Sequence, residues 1–262
     1  MKAVLLGDVG NDMQKRKPKS ALKFTIRSLF LLCLISGLLL QFWVLPALRQ
    51  KRIAQWVVMQ QGNVAYQEEL VAVEKYSEAQ YGVIGEMLGI DFVDRVASVS
   101  LRRLDDMRVL NGLPYLRHLS VSQYAGSDLS GLVGMLQLES LTISGSAKVD
   151  LVALQRLRSL SFLAFTNSET DDFSSLRNLN ELTYLDLYGT CLTDFEDLGH
   201  LTQLEYLFLP SSDWQGANIL PLKNLVKLKN ICVGKTSFSE EQYQELHLAL
   251  PDCHIEFYPS DD

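Results

Sequence analysis

The chain has 262 residues, 47% apolar and 21% charged, which is enough for a large buried core and for one or two domains. Its net charge of −7 is uneven: residues 1–27 hold seven basic side chains against Asp8 and Asp12, a net +5 that leaves −12 for the rest. The acidic body excludes nucleic acid as a partner, because that partner requires clustered lysine and arginine.

The basic stretch, residues 1–27, reads as a disordered cytoplasmic tail. Residues 28–48, SLFLLCLISGLLLQFWVLPAL, then run 21 positions without a charge. A helix of that length reaches roughly 30 Å, the thickness of a bilayer's hydrocarbon core. Phe42 and Trp43 sit toward its far end, where amphipathic rings favour the headgroup level. A single transmembrane helix is expected here. Six basic residues at positions 15–27 face three at 49–52. That asymmetry puts the N-terminus in the cytoplasm and the rest outside, in the periplasm or at the cell surface. The competing reading is a cleaved signal peptide. Against it stand a long n-region, an apolar stretch longer than an h-region, and no A-x-A site. The four cysteines make no disulfide framework, and no N-x-[ST] sequon occurs, which suits a bacterial envelope domain.

Residues 49–95 read as an N-terminal α/β cap. A helix is expected over 49–61, with Ile53, Trp56 and Val57 on one face and Gly62 as its C-cap. Alternation at Asn63–Glu68 suggests a strand. Residues 69–80 connect it to a second helix over 81–93, striped by Val83, Ile84, Met87 and Leu88.

From there a pattern L-x-x-L-x-L returns: Leu116/Leu119/Val121, Leu138/Leu141/Ile143, Leu160/Leu163/Phe165, Leu182/Leu185/Leu187 and Leu204/Leu207/Leu209. The middle leucines are spaced by 22, and the pattern slips by two to Leu228/Ile231/Val233. A fixed period with this spelling is the signature of a leucine-rich-repeat solenoid, here spanning 96–238. Parallel strands are expected at 96–101, 116–122, 138–144, 160–166, 182–188, 204–210, 228–234 and 253–257. Eight of them make a sheet roughly 35 Å wide. Two more leucine columns, one from Leu110 to Leu222 and one from Leu113 to Leu225, enter the core from the convex side. A unit this short has room there only for turns or 3₁₀ pieces. Asp128, Asp150, Asp172 and Asp194 form a further column. A calcium ladder would need several converging oxygens per ion, so the column reads as caps on free backbone N–H groups. The two extra residues around Trp214–Ile219 suggest a bulged convex loop.

Residues 239–262 form the expected C-terminal cap and tail. Ser239-Glu240-Glu241-Gln242 opens a helix with a capping-box-like start. Tyr243, Leu246, Leu248 and Leu250 supply its apolar contacts. Pro251 ends it, Cys253–Phe257 makes an edge strand, and Pro259–Asp262 is a polar tail.

Several motifs, in this order, resemble a family of bacterial membrane-anchored leucine-rich-repeat proteins. Phe24-Thr25-Ile26-Arg27-Ser28-Leu29 is similar to its F-[ST]-[IL]-R-[ST]-L opening, and Gly62-Asn63-Val64-Ala65-Tyr66 to its G-x-V-x-Y element. Gly189-Thr190-Cys191-Leu192-Thr193-Asp194 resembles its G-T-x-[VIL]-T-D turn, and Leu250-Pro251-Asp252-Cys253-His254-Ile255 its L-P-x-C-x-I ending. The resemblance implies a repeat fold and a membrane anchor, with no activity and no particular ligand.

Alternation also predicts the side chains on the concave face. The N-terminal half carries small hydroxyls such as Ser98, Ser120, Ser140 and Thr142, with His118. The C-terminal half carries Phe162, Tyr184, Tyr188, Tyr206 and Phe208 around one carboxylate, Asp186. A glycosidase needs two carboxylates. His118 and Asp186 fall three strands apart, about 14 Å, too far for a relay. The histidines lack ligand spacing, and Cys232 and Cys253 are expected to point to opposite faces. No catalytic residue, metal or small-molecule cofactor is expected. The aromatic cluster is either a docking surface or a set of rings that stabilise the sheet by packing on one another. The expected function is a membrane-tethered, non-catalytic protein-binding module. The alternative is a cell-envelope scaffold that self-associates or binds envelope polymers.

Overall fold

The computed structural model describes residues 45–66, 96–145, 148–168, 170, 172–190, 192–209, 217–234 and 237–258, with single positions at 37, 38 and 41. The basic tail, most of the apolar segment 28–48, the 69–80 connection, the helix expected at 81–93, Cys191, Trp214 and the 259–262 tail lie outside the described residues. Among the described residues no helix is long and apolar enough to cross a membrane.

Helix α1, Leu45–Met59, begins four residues before the expected start and takes in the end of the apolar segment. Pro46 sits in its first turn, where a missing N–H leaves no bond unmade. Ile53, Ala54 and Val57 are buried. Its C-terminus is closed by Gln61, at φ 58, rather than by Gly62. Gly62 N–H donates to Val57 O and Gln61 N–H to Val58 O, both at 3.0 Å, which is the Schellman pattern. Gly62 serves a different purpose: a Cβ there would lie 2.6 Å from the Ser100 carbonyl oxygen.

Strand β1, Asn63–Tyr66, pairs antiparallel with β2, Val96–Leu101. Seven strands then follow in parallel and in chain order: β3 His118–Val121, β4 Ser140–Ser144, β5 Phe162–Thr166, β6 Tyr184–Asp186, β7 Tyr206–Phe208, β8 Asn230–Val233 and β9 His254–Phe257. The register is that of the sequence period: Leu119 faces Leu141, then Leu163, Leu185 and Leu207. All five leucines are at most 1% exposed. Apolar residues every second position along each strand enter one continuous core, and stacked repeats extend that core in one dimension.

The strands are shorter than expected at their starts. Leu116 N–H bonds Leu113 O within a turn, and Leu138, Leu160, Leu182, Leu204 and Leu228 repeat that bond. The first leucine of each unit therefore closes the convex turn and points inward, and sheet pairing begins after it.

The convex side is built of 3₁₀ turns: Met107–Leu110, Ser130–Leu132, Leu151–Arg156, Ser174–Asn178, Leu198–His200 and Leu220–Asn224. The aspartate column caps the backbone turns that open or lead into them. Asp128 accepts from Ser130 N–H, Asp150 from Val152 N–H, Asp172 from Ser174 N–H and Asp194 from Glu196 N–H. Two rungs missed in the sequence complete it, Asp106 to Arg108 N–H and Asn218 to Leu220 N–H. Hydrogen bonds from the Arg108 side chain and backbone hold Asp106 below the usual carboxylate range. Ser130 does the same for Asp128, and Ser174 for Asp172.

Helix α2, Glu240–Ala249, carries the expected capping box, with Ser239 and Gln242 exchanging bonds. Gln242 also donates to the Ala217 carbonyl at 2.9 Å and so ties α2 to the convex side. Leu246 and Leu250 are buried. Leu248, expected to pack, is 80% exposed, because a position two residues from either partner lies across the helix. Cys253 is buried, where desolvation pushes its thiol up to about 11.

Candidate functional site

The concave face is laid out in two rows of side chains. One row runs Ser98, His118, Ser140, Phe162, Tyr184, Tyr206, Asn230, His254 across β2 to β9. The other runs Ser100, Ser120, Thr142, Ala164, Asp186, Phe208, Cys232, Glu256. The change from hydroxyls to rings falls at β5, as alternation predicted. His118 and Asp186 stand on β3 and β6, so the sheet separates the imidazole from the one carboxylate in the middle of the face.

The rings are in contact. Phe162 stacks on Tyr184 with centroids 4.3 Å apart and planes 9° from parallel. Tyr184 also meets Phe208 at 5.3 Å and Tyr206 at 6.3 Å. Tyr184 is thus the hub of the cluster, and these cross-strand contacts add stability beyond area burial. Tyr206 and Tyr188 lie at the margin and remain 40% and 41% exposed. Phe162 and Phe208 pack on Tyr184, while Tyr188 and Tyr206 keep exposed surface.

Asp186 sits among them, half-buried. Its Oδ1 accepts the Tyr188 backbone N–H at 2.9 Å. Burial pushes its carboxyl above the usual range, opposed by that hydrogen bond. Burial also raises the Tyr184 phenol, and the Asp186 charge adds to the shift. Gly189, at φ 70, takes the left-handed conformation that turns the chain away just after Tyr188.

Tyr258 belongs to this face and was not read from the sequence. It follows β9, where its N–H bonds Val233 O at 2.9 Å. Its ring meets Tyr188 edge-on at 5.3 Å, and its hydroxyl is buried beside Cys232. Burial pushes that phenol far up, with the neighbouring Cys232 and Asp186 adding to the effect. Cys232, expected on the open concave surface, is instead only 6% exposed, consistent with Tyr258 lying over it. Burial, then Glu256, raises its thiol, so it is a thiol and not a reactive thiolate. Cys253, on the next strand, points into the core. The two cysteines are free and face opposite ways.

No family model matches the chain, and no curated protein matches it. Among solved structures it is similar to internalin C2 of Listeria monocytogenes, with a TM-score of 0.53 and 18% identity over 65% of this chain and 74% of that one. It is also similar to an internalin F of Listeria monocytogenes (TM-score 0.43, 19% identity, 61% of this chain and 54% of that one). A leucine-rich-repeat protein of Leptospira interrogans gives a TM-score of 0.41 and 14% identity over 60% of this chain and 52% of that one. The likeness to internalin C2 is one of fold. Together with the in-register parallel strands and 3₁₀ turns, it shows a leucine-rich-repeat fold.

Proposed function

We propose that this chain is a membrane-tethered, non-catalytic binding module that docks a protein partner on the C-terminal half of its concave sheet. The observation that carries the reading is the distribution of side chains on that face. Hydroxyls occupy β2 to β4, and rings gather from β5 onward, with Tyr188 and Tyr206 exposed near the Asp186 carboxylate. Exposed tyrosines on a rigid sheet supply contact area at small entropic cost, and such residues dominate the energetics of protein interfaces. Phe162, Tyr184 and Phe208 hold them in place, and Asp186 adds a charge to be recognised.

The tether is segment 28–48, supported by its 21 uncharged positions. On this reading α1 and β1 close the N-terminal end of the solenoid, as a repeat array requires at its ends.

Photo-cross-linking in the native membrane tests the docking surface. A photoreactive residue at Phe208 is expected to trap a discrete product, and one at Val226 on the convex side is not. Tyr206→Ala should abolish the product. A product that persists in Tyr206→Ala and Tyr188→Ala, or that forms equally well from Val226, rejects this face.

A further inference from the structure

Strand β9 is the last of the sheet, and among the described residues it pairs on one side only. His254 and Tyr258 donate their N–H groups to Lys229 O and Val233 O, on the β8 side. Backbone groups alternate along a strand, so the N–H and C=O of Ile255 and Phe257 point to the open side. The core ladder ends open at the same place. Ile231 and Val233 have no exposed surface, yet Ile255, in register with Ile231, is partly exposed, and Phe257, in register with Val233, is 46% exposed. A free strand edge beside uncovered apolar side chains is a template for another strand.

The polar side chains of β9 narrow down which strand fits. His254 and Glu256 share the concave side, with His254 Nε2 3.5 Å from Glu256 Oε1. An imidazole and a carboxylate two positions apart form a self-complementary pattern. Turned by a two-fold axis through Ile255, each lands opposite the other, and an imidazole N–H donates to a carboxylate in either protonation state. An axis through Glu256 would instead set two glutamates face to face, which is destabilising. One through Phe257 would set Pro259, which has no N–H, against Ile255.

We propose that β9 pairs antiparallel with β9 of a second copy of this chain, about a two-fold axis through Ile255. The two Ile255 residues exchange N–H···O bonds, and Phe257 N–H reaches the Cys253 carbonyl of the second copy. Cys253 N–H is already taken by Leu250 O, so its carbonyl alone takes part. His254 of each copy meets Glu256 of the other, and the open ends of the two core ladders cover one another. A two-fold interface of this kind closes on itself and yields a dimer, not a filament. Its axis stands perpendicular to the sheet, so both concave faces open to the same side. The pairing goes beyond the docking reading and does not depend on it.

The test uses the full chain in detergent micelles, with Cys33 and Cys191 replaced by serine. In this register His254 and Glu256 of the second copy are a non-hydrogen-bonded pair with Cα atoms about 4.5 Å apart, within disulfide reach. Chains carrying His254→Cys mixed with chains carrying Glu256→Cys should therefore link under mild oxidation, and neither variant should link alone. Light scattering should give twice the chain mass for the unaltered protein. Ile255→Pro removes an N–H on the open side only, where proline is tolerated, and should give a monomer with a nearly unchanged unfolding midpoint. Glu256→Lys should weaken the dimer about fivefold, and His254→Glu combined with Glu256→Lys should restore it. Glu256→Cys chains that link to themselves, an unaltered chain that stays monomeric as its concentration is raised, a dimer that survives Ile255→Pro, or no rescue by the exchanged charges each overturns the pairing. Should Ile255→Pro fail to fold, the pattern of disulfide links decides. A monomeric chain whose Phe208 cross-link still depends on Tyr206 removes the edge pairing and leaves the docking surface.

Discussion

Leu185 and Asp186 are adjacent on β6, yet one has no exposed surface and the other faces the concave side. Leu185 lies in the middle of the core ladder, with Leu163 and Leu207 in register on either side. Leu185→Ala removes atoms that nothing nearby can replace, and the expected loss is about 2–5 kcal/mol in denaturant unfolding. Asp186→Asn should act in the other direction. It removes a carboxylate whose charge the surroundings disfavour, and asparagine can still accept from the Tyr188 N–H. Its unfolding midpoint at neutral pH is therefore expected to equal or exceed that of the unaltered chain, and the gain should shrink as pH falls through the raised range of the folded carboxyl toward the ordinary aspartate range. A fall in stability at neutral pH would mean that Asp186 serves the fold. Alternation alone made both residues legible, since it fixes the face each one points to. It could not show that Tyr184 contacts three rings while Tyr206, one of them, stays exposed at the margin, which depends on side-chain directions across strands. Tyr258 was invisible for another reason: it follows the last repeat, where no period predicts position, and it is carried onto the face by a bond to Val233 O.

Among the elements, the strands were legible in their middles and the turns at their starts. The 22-residue period survives as the register itself. The strand beginnings were overread because the first leucine of each unit is as apolar as the others, though it closes a turn. The end of α1 was misread because glycine is the usual left-handed residue there, and this chain uses Gln61. The cap column was found but shortened: Asp106 precedes the first clear repeat, and Asn218 is displaced by the insertion. These caps give the chain a definite response to acid. Asp106, Asp128 and Asp172 have lower pKa values folded than unfolded, so their contribution is complete above the ordinary aspartate range and is lost as pH falls through the lowered values. Asp186, shifted upward, takes up its proton earlier in the folded chain and opposes them in a higher window. Three lowered groups against one raised predict that the thermal midpoint drops steeply below about pH 4. A flat profile between pH 5 and pH 2 would show that the caps are not ionised partners in the fold. At α2, Ser239→Ala removes the hydroxyl that accepts the Gln242 N–H, leaves the backbone bond from residue 239 to Gln242 Oε1, and should cost about 1 kcal/mol; an unchanged midpoint would mean that α2 frays before the rest unfolds.

At the scale of the whole molecule, the sequence divides by charge as well as by period. A net +5 lies before the uncharged segment and −12 in the remainder. Lysine and arginine flanking a spanning helix resist transfer, so the side with more of them stays inside. Six basic residues at 15–27 outweigh Arg49, Lys51 and Arg52, and the repeat domain is predicted to lie on the outer side. Labelling with a membrane-impermeant maleimide can read this directly. Ser122 is exposed at the concave edge and accepts a cysteine, while Cys232 and Cys253 are buried and stay unlabelled. In a background of Cys33→Ser and Cys191→Ser, Ser122→Cys should label in intact spheroplasts as fully as after permeabilisation. Labelling only after permeabilisation would place the repeats inside and remove any partner from outside the cell. The same charges predict how the orientation fails. Replacing Lys15, Arg16, Lys17 and Lys19 with glutamine leaves two basic residues at 15–27, Lys23 and Arg27, against three after the segment. That reversal should send a measurable fraction of chains in with the opposite topology, protected until the membrane is opened. If orientation is unchanged, the basic tail does not set it, and the charge asymmetry that suggested the topology belongs to some other role of residues 1–27.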